Sequence, residues 1–295
     1  MSVRSSGNAS GANSVGREDV DLLVGSFGAL RAHLDSGRYR RDFVKHVVLD
    51  EADSLLDDTF NADSVPFLAA FGLGARARRG PSRVMDTQIT LVGATRPTSL
   101  QPVLQSVLGD DPDDQLGEVS TDHLHRVLAH VRQTFLRTPP KRKEEYLLET
   151  LEADLARGRQ AVVFANSAPS VEFSARVLRR AGVRAVTFHS GLESSVRKAN
   201  YDAFRLREAA VLCCTDLASR GLDTCNAHHV VNYEFPFNMA DYIHRVGRVG
   251  RVASVQGSRV TSFVAGKISI RYVKEKTKRV VTNCPKFCIF GKKES

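Results

Sequence analysis

Three arginines recur at every third position in Asp241-Tyr-Ile-His-Arg-Val-Gly-Arg-Val-Gly-Arg251: Arg245, Arg248 and Arg251. One helical turn places such arginines along one side, and the glycines before the last two let the backbone approach something closely. Glycine costs roughly 1 kcal/mol in a helix interior, so the segment marks a helix end or a loop at a site. Guanidinium forks aimed into a gap suit polyphosphate, whose charge is spread over several oxygens. A solvated basic turn is the alternative for such a string standing alone. Two further strings stand with it. Val47-Val48-Leu49 runs into Asp50-Glu51-Ala52-Asp53. A carboxylate so delivered can hold magnesium through water, and its neighbour can take a proton from an attacking water. A helix N-terminus with acids favourable to its dipole is the competing explanation. Thr215-Asp216-Leu-Ala-Ser-Arg220-Gly221-Leu-Asp223 also follows an apolar run. Gly221 permits a tight loop, Asp223 could accept hydrogen bonds from a ribose, and Thr215 with nearby amides could bind phosphate; an ordinary capped turn explains each residue taken singly.

The elements that must position these groups alternate. Strands are expected at 20–24, 46–49 and 88–92, with a short helix at 29–34. The last of these strands ends in Gly93-Ala94-Thr95. Farther along, strands at 131–136, 161–165, 185–188, 211–214, 230–233 and 259–264 alternate with helices at 141–156, 171–181 and 194–205. That spacing means a parallel sheet with helices on both faces, and chemistry in such sheets gathers at the strands' carboxyl ends. The fold class is therefore α/β. Residues 1–19 read as a disordered polar leader, 20–108 as a first, incomplete unit, and 75–81 as a surface loop within it. The acidic, turn-forming stretch 109–120 reads as a linker, 121–265 as a full α/β domain, and 266–295 as a basic tail.

Composition excludes several classes. The chain has 295 residues, 42% of them hydrophobic, enough for two domains. No apolar run approaches the ~20 residues of a membrane span, so no membrane partner is expected. Cys213 and Cys214 lie in a strand-like run and read as core residues. Cys284 and Cys288 lack a second pair of ligands nearby, so zinc is not expected, and a reduced compartment fits. The net charge is +9, but the tail's seven lysines and two arginines against Glu275 and Glu294 supply +7 of it, leaving +2 for the rest. Charge alone therefore says nothing about nucleic acid.

Taken together, Asp50–Asp53, Gly93–Thr95, Thr215–Asp223 and His244–Arg251 stand in an order that resembles the DEAD-box RNA helicases, over residues 20 to 265. Gly25-Ser26-Phe27-Gly28 looks like that family's RNA-contacting T-P-G-R loop in much altered form. Ala161–Ser167 resembles the first motif of its second lobe, and His189–Arg197 its H-G-x-x-x-Q-x-x-R segment, with Ser194 in place of glutamine. Leu91–Thr95, Val131–Arg137 and Val246–Arg251 look closest to a mitochondrial branch tied to large ribosomal subunit assembly. The resemblance implies two RecA-like parallel-sheet lobes, the first incomplete, closing on ATP and single-stranded RNA. In that arrangement Asp50 holds magnesium through water and Glu51 orients and deprotonates the attacking water. Asp53 meets the Gly93-Ala94-Thr95 segment and His244, coupling the lobes. Arg248 and Arg251 reach the γ-phosphate, while Gly221 and Asp223 serve the nucleotide and its ribose. Ser26, Gly28, Ser167, Arg197 and Thr215 follow the RNA backbone, giving binding that ignores sequence. A mitochondrial or nuclear location and ribosomal precursor particles as partners go with that branch.

Departures set further expectations. The family's G-x-x-x-x-G-K-T phosphate loop has no counterpart, since Gly266-Lys267 is followed by Ile268. That loop supplies an amide cradle, a lysine and a magnesium-binding hydroxyl. The isolated chain is therefore expected to hydrolyse ATP negligibly, as a truncated helicase. Gly93 stands for a serine and Val249 for a threonine of the family pattern. Two other readings remain open: a non-catalytic RNA-binding protein built on the second lobe and basic tail, and a regulatory protein that docks through its lobe surface.

Overall fold

The computed structural model describes residues 3–5, 20–39, 43–56, 66–68, 71, 87–96, 100–108, 117–121, 130–218, 224, 227–250, 257–264 and 288–290. The chain divides into two compact units, Met1–Thr121 and Asp122–Ser295. The expected loop at 75–81 lies outside the described residues, as do most of the 109–120 stretch and of the tail.

In the first unit, β1 (Val3–Ser5) pairs in parallel with β2 (Leu22–Val24), and β3 (His46–Leu49) with β4 (Gln88–Leu91). Among the described residues these are two separate pairs, not one sheet. Helix α1 (Phe27–Asp35) follows β2, α2 (Ala52–Leu55) follows β3, and α3 (Leu100–Leu108) comes last. Leu49, Ala52, Leu56, Leu68 and Val103 form a small core. The β3–β4 ladder runs on past the strands, with Val92 N donating to Leu49 O (2.9 Å) and Ala52 N to Val92 O (2.8 Å). This closes the acidic turn against the segment after β4.

The second unit is built on one parallel sheet in the order β11-β5-β10-β9-β6-β8-β7. Its strands are β5 (Arg132–Arg137), β6 (Gln160–Phe164), β7 (Ala185–Phe188), β8 (Val211–Cys214), β9 (Ala227–Asn232), β10 (Arg259–Val264) and β11 (Cys288–Phe290). The helices are α4 (Lys143–Leu155), α5 (Ala168–Arg180), α6 (Ser194–Arg205) and α7 (Met239–Val246). Side chains alternate across a strand with period two, and the core divides accordingly. Val162, Phe164, Leu212, Cys214 and Val230 pack with Phe204 and Tyr242 on one face. Ala161, Val163, Val211, Cys213 and Val231 pack with Leu147, Leu151 and Leu178 on the other. Central strands covered on both faces read as unbroken apolar runs, which is why 161–164 and 211–214 are legible.

Boundaries differ where local chemistry intervenes. Pro140–Arg142 form a 3-10 turn, so α4 starts at Lys143 rather than at 141. Strand β9 begins at Ala227, three residues ahead of its apolar run, because His229 is buried in a polar cluster. Asp154 Oδ2 lies 2.7 Å from His229 Nδ1, Thr261 Oγ1 lies 2.8 Å from Nε2, and Arg259 donates to Asp154 Oδ2 at 2.7 Å. A histidine so bonded satisfies the rule that buried polar groups find partners.

Candidate functional site

The acidic segment sits where β3 ends. Glu51 caps α2 in the left-handed backbone region (φ 52°, ψ 42°), a conformation that costs a non-glycine residue roughly 1–2 kcal/mol. Its amide donates to Asp50 Oδ1 at 3.0 Å, which helps offset that cost. Asp50 is exposed and Glu51 half-buried at the strand tip, while Asp53 is buried. Asp53 Oδ2 accepts from Thr95 N (2.9 Å) and from Thr95 Oγ1 (2.6 Å). Asp53 and Thr95 lie 42 positions apart in sequence, and the β3–β4 ladder brings them together. Gly93 is part of this contact: a Cβ there would lie 3.3 Å from Asp53 Cγ and 3.3 Å from Thr95 O. Ala94 is exposed beside it. Upstream, Ser26 caps α1 through its carbonyl, which accepts from Leu30 N at 2.9 Å, and Gly28 lies exposed in the first turn.

In the second unit, the candidate groups stand after the carboxyl ends of three adjacent strands. Ser167 follows β6 and caps α5, accepting from Ser170 N at 3.4 Å. Thr215 follows β8, its amide donating to Phe188 O at 3.2 Å. Arg197 lies in the first turn of α6, after β7, and donates to Leu192 O at 3.2 Å. Gly221, Asp223 and Arg251 lie outside the described residues.

The arginine segment departs from the expected one-sided face. Helix α7, capped by the Asn238 side chain accepting from Asp241 N at 2.8 Å, ends at Val246. Arg245 therefore occupies the helix's last turn and points into the unit, fully buried. Its guanidinium donates to both carboxylate oxygens of Asp216 (2.6 and 2.7 Å), to Glu234 O (2.7 Å) and to Asn166 Oδ1 (2.7 Å). Its carbon lies 5.3 Å from the Phe164 ring centroid. Such a residue knits β6, β8 and β9 together at their carboxyl ends and has no fork left for a phosphate. The apolar-strand ends carried the signal: Asn166, Asp216 and Glu234 each stand two residues past a strand. Arg248, beyond the helix, is buried and donates to His244 O at 3.3 Å. Its own carbonyl accepts from Thr224 Oγ1 (2.9 Å), and Gly250 O lies 2.8 Å from His130 Nε2. Gly250 takes φ +75°, which a side chain would strain. His244 is buried within the same unit.

Burial pushes the Cys213 thiol up to about 12 and Cys214 well above its usual value. Both pack as protonated core residues. Among the described residues no helix is long and apolar enough to cross a membrane.

A family profile described as "Helicase conserved C-terminal domain" matches residues 142–253. The chain is 34% identical over 258 residues to the Mus musculus protein named "Probable ATP-dependent RNA helicase DDX28", covering 84% of this chain and 46% of that protein. Against "DEAD-box ATP-dependent RNA helicase 39" of Arabidopsis thaliana it is 32% identical over 251 residues, covering 84% of this chain and 38% of that one. The chain belongs to the DEAD-box RNA helicase family. Solved structures agree on the fold. S. cerevisiae Dbp5 bound to RNA and ADP BeF3 superposes with a TM-score of 0.74 at 21% identity, covering 98% of this chain and 69% of that chain. DEAD-box helicase Mss116 bound to ssRNA and UDP-BeF gives 0.73 at 20% identity, covering 93% and 54%. The fold is thus α/β and RecA-like, as in those structures, and the curated relatives carry the name of ATP-dependent RNA helicases. The chain spans less than half the length of those two curated relatives.

Proposed function

We propose that this DEAD-box chain binds single-stranded RNA along its backbone and serves ATP-dependent local unwinding of duplexes. The observation that carries the reading is the Asp53–Thr95 contact at the ends of β3 and β4, which leaves Asp50 and Glu51 at the strand tip. Glu51 orients the attacking water and takes its proton. Arg248 and Arg251 meet the γ-phosphate, Gly221 and Asp223 the nucleotide and its ribose. Gly93, Ala94, Thr95 and His244 couple the two lobes. Ser26, Gly28, Ser167, Arg197 and Thr215 line the RNA path, contacting phosphates and 2′-hydroxyls rather than base edges.

Magnesium fits the residues present. It accepts oxygen ligands only, keeps several waters, and is commonly held by one or two carboxylates plus substrate phosphates. The exposed Asp50 carboxylate meets that need without a wider protein cage. Bound there with ATP, the ion would neutralise charge on the phosphate oxygens.

The chain contains no Gly-Lys-Ser or Gly-Lys-Thr, so we expect negligible ATP hydrolysis from these 295 residues alone. RNA binding is the property to test, using fluorescence anisotropy with labelled oligouridine and a mixed-sequence RNA. Similar affinities that fall together as salt rises from about 50 to 200 mM are expected, with Arg197→Ala weakening both. Binding to neither RNA at the lower salt would refute the reading. ATP turnover lost in Glu51→Gln would overturn the expected inactivity. The proposed setting is ribosomal precursor particles in the mitochondrion or nucleus, supported by the likeness of Leu91–Thr95 and Val246–Arg251 to the mitochondrial branch. A non-catalytic RNA-binding role is the second reading, favoured by the continuous sheet of the second unit; RNA affinity indifferent to ATP analogues would select it.

A further inference from the structure

A cavity of about 440 Å³ opens at the amino ends of β7 and β8, where the loops enter the sheet. Ser167, Thr215 and Arg197 follow the carboxyl ends of β6, β8 and β7, so the cavity lies at the opposite end of the sheet. Strand β7 spans four residues, or about 13 Å at the usual rise. The cavity walls are apolar: Val183, Ala185, Val186, Ala203 and Ala209. Arg179, Arg184 and Glu208 provide its charge. Arg176 and Arg180 belong to the same last turns of α5, and both are exposed, as is Arg184. Among the described residues no carboxylate pairs with Arg176, Arg180 or Arg184. Nearby acids are otherwise engaged, Asp202 with Arg205 at 3.5 Å and Glu172 with His189 at 3.0 Å. Glu208 is thus the single acid facing this arginine group from the cavity lining.

We propose that this cavity is a docking site for an acidic peptide segment of a partner protein, carrying an apolar anchor residue flanked by Asp or Glu. Arg179 and Arg184 in the lining against Glu208, with the exposed Arg176 and Arg180 on the same helix end, supply the charge complementarity. The walls, built from alanine and valine, accept a leucine-sized side chain. Single-stranded RNA fits less well, because no cavity-lining residue is aromatic and bases need a ring to stack on. The peptide does not enter as an added strand. Arg184 O and Phe188 O face β8, accepting from Val211 N and Thr215 N. The alternate carbonyls therefore face outward, and both are taken: Ala185 O by Arg179 Nε (2.8 Å) and Thr187 O by Asn200 Nδ2 (2.9 Å). With that edge blunted, recognition falls to the side-chain cavity and its arginine rim. A partner held here leaves the Thr215 end of the sheet open, so docking and RNA binding can occur together.

The test uses the full 295-residue chain and a fluorescein-labelled peptide, Glu-Glu-Asp-Leu-Glu-Asp-Leu-Glu-Glu, with a lysine-for-glutamate version as control. Anisotropy should show saturable binding of the acidic peptide and none of the control. Arg184→Glu, a change at an exposed position, should weaken binding at least tenfold. Ala203→Trp, which fills the cavity, should do the same, with circular dichroism confirming the fold. Oligouridine affinity should stay within twofold in both variants. Absence of peptide binding to the unmodified chain, or equal binding in both variants, would overturn the proposal. So would loss of oligouridine affinity on Arg184→Glu, which would make the arginine rim an RNA surface.

Discussion

Strands β3 and β6 look alike as sequence, His46-Val-Val-Leu against Gln160-Ala-Val-Val-Phe, yet they are buried very differently. Every residue of β6 is buried, whereas in β3 only Leu49 is, and Val48 is 65% exposed. Strand β6 lies between β9 and β8 with helices packed on both faces; β3 pairs with β4 alone among the described strands. An apolar run is thus a demand for cover, and the neighbours decide how far it is met. The second unit invests its stability in a continuous sheet with two cores. The first holds its acidic turn by a short ladder and one carboxylate–threonine contact.

Breaking the second unit at its polar hub should have the largest effect. Arg245→Ala removes the cation from Asp216, Asn166 and Glu234 O; because the Asp216 side chain is 32% exposed, the loss should fall at the lower end of the about 3–5 kcal/mol for breaking a buried pair. Urea unfolding followed by circular dichroism should show that loss. Leu212→Ala, in the fully buried β8, should cost about 2–5 kcal/mol in the same assay. Against it, Val48→Thr in the exposed part of β3 should change stability by no more than about 0.5 kcal/mol. Equal losses at the two sites would erase the contrast between the units.

Acid sharpens the comparison on a finer scale. Burial holds the His229 imidazole below its ordinary value, against the opposing pull of the Asp154 hydrogen bond. A base whose folded value is depressed leaves the unfolded chain binding more protons, so stability falls as pH drops below about 6.5. The slope approaches about 1.4 kcal/mol per pH unit for one proton. Asp154 is also held low: burial pushes its carboxyl up, but the His229 hydrogen bond and charge and the Arg259 guanidinium together outweigh it. Its share is present above about pH 3.9 and disappears as pH falls through the lower folded value. His229→Gln should flatten the dependence between pH 6.5 and 5 in the second unit, a change readable from urea midpoints across that range. A small effect, above that of Val48→Thr, is expected at Gly93→Ala. The added methyl meets Asp53 and Thr95 at 3.3 Å, so a loss of about 1 kcal/mol or less is expected as Asp53 shifts, read as a small drop in melting temperature.

Much of the second unit was legible because its strands are covered on both faces and so write themselves as unbroken apolar runs. Its helices were legible from their buried stripes, as with Leu147 and Leu151 on α4. The acidic turn, the Gly93–Thr95 segment and the arginine string were legible as local patterns. The Asp53–Thr95 pairing was implied by the resemblance, but the long-range polar pairings inside the second unit were not legible. The periodicity of 245, 248 and 251 suggested that all three lie along one side, but α7 stops after Val246 and turns Arg245 inward onto Asp216. The Asp154–His229–Thr261 cluster left no trace, because its members are 75 and 32 positions apart and meet only when β9 and β10 pair against α4.

By itself the sequence determined most strands and the long helices of the second unit, since hydrophobic period and capping residues act over a few neighbours; β1, β11 and α3 were not read from it. It also determined which side chains stand just past strand ends. Only the tertiary structure decided which of those charges are consumed internally and which remain available. That outcome depends on which strands become neighbours, and low-dielectric burial forces any cation caught between them to find its partners within the fold.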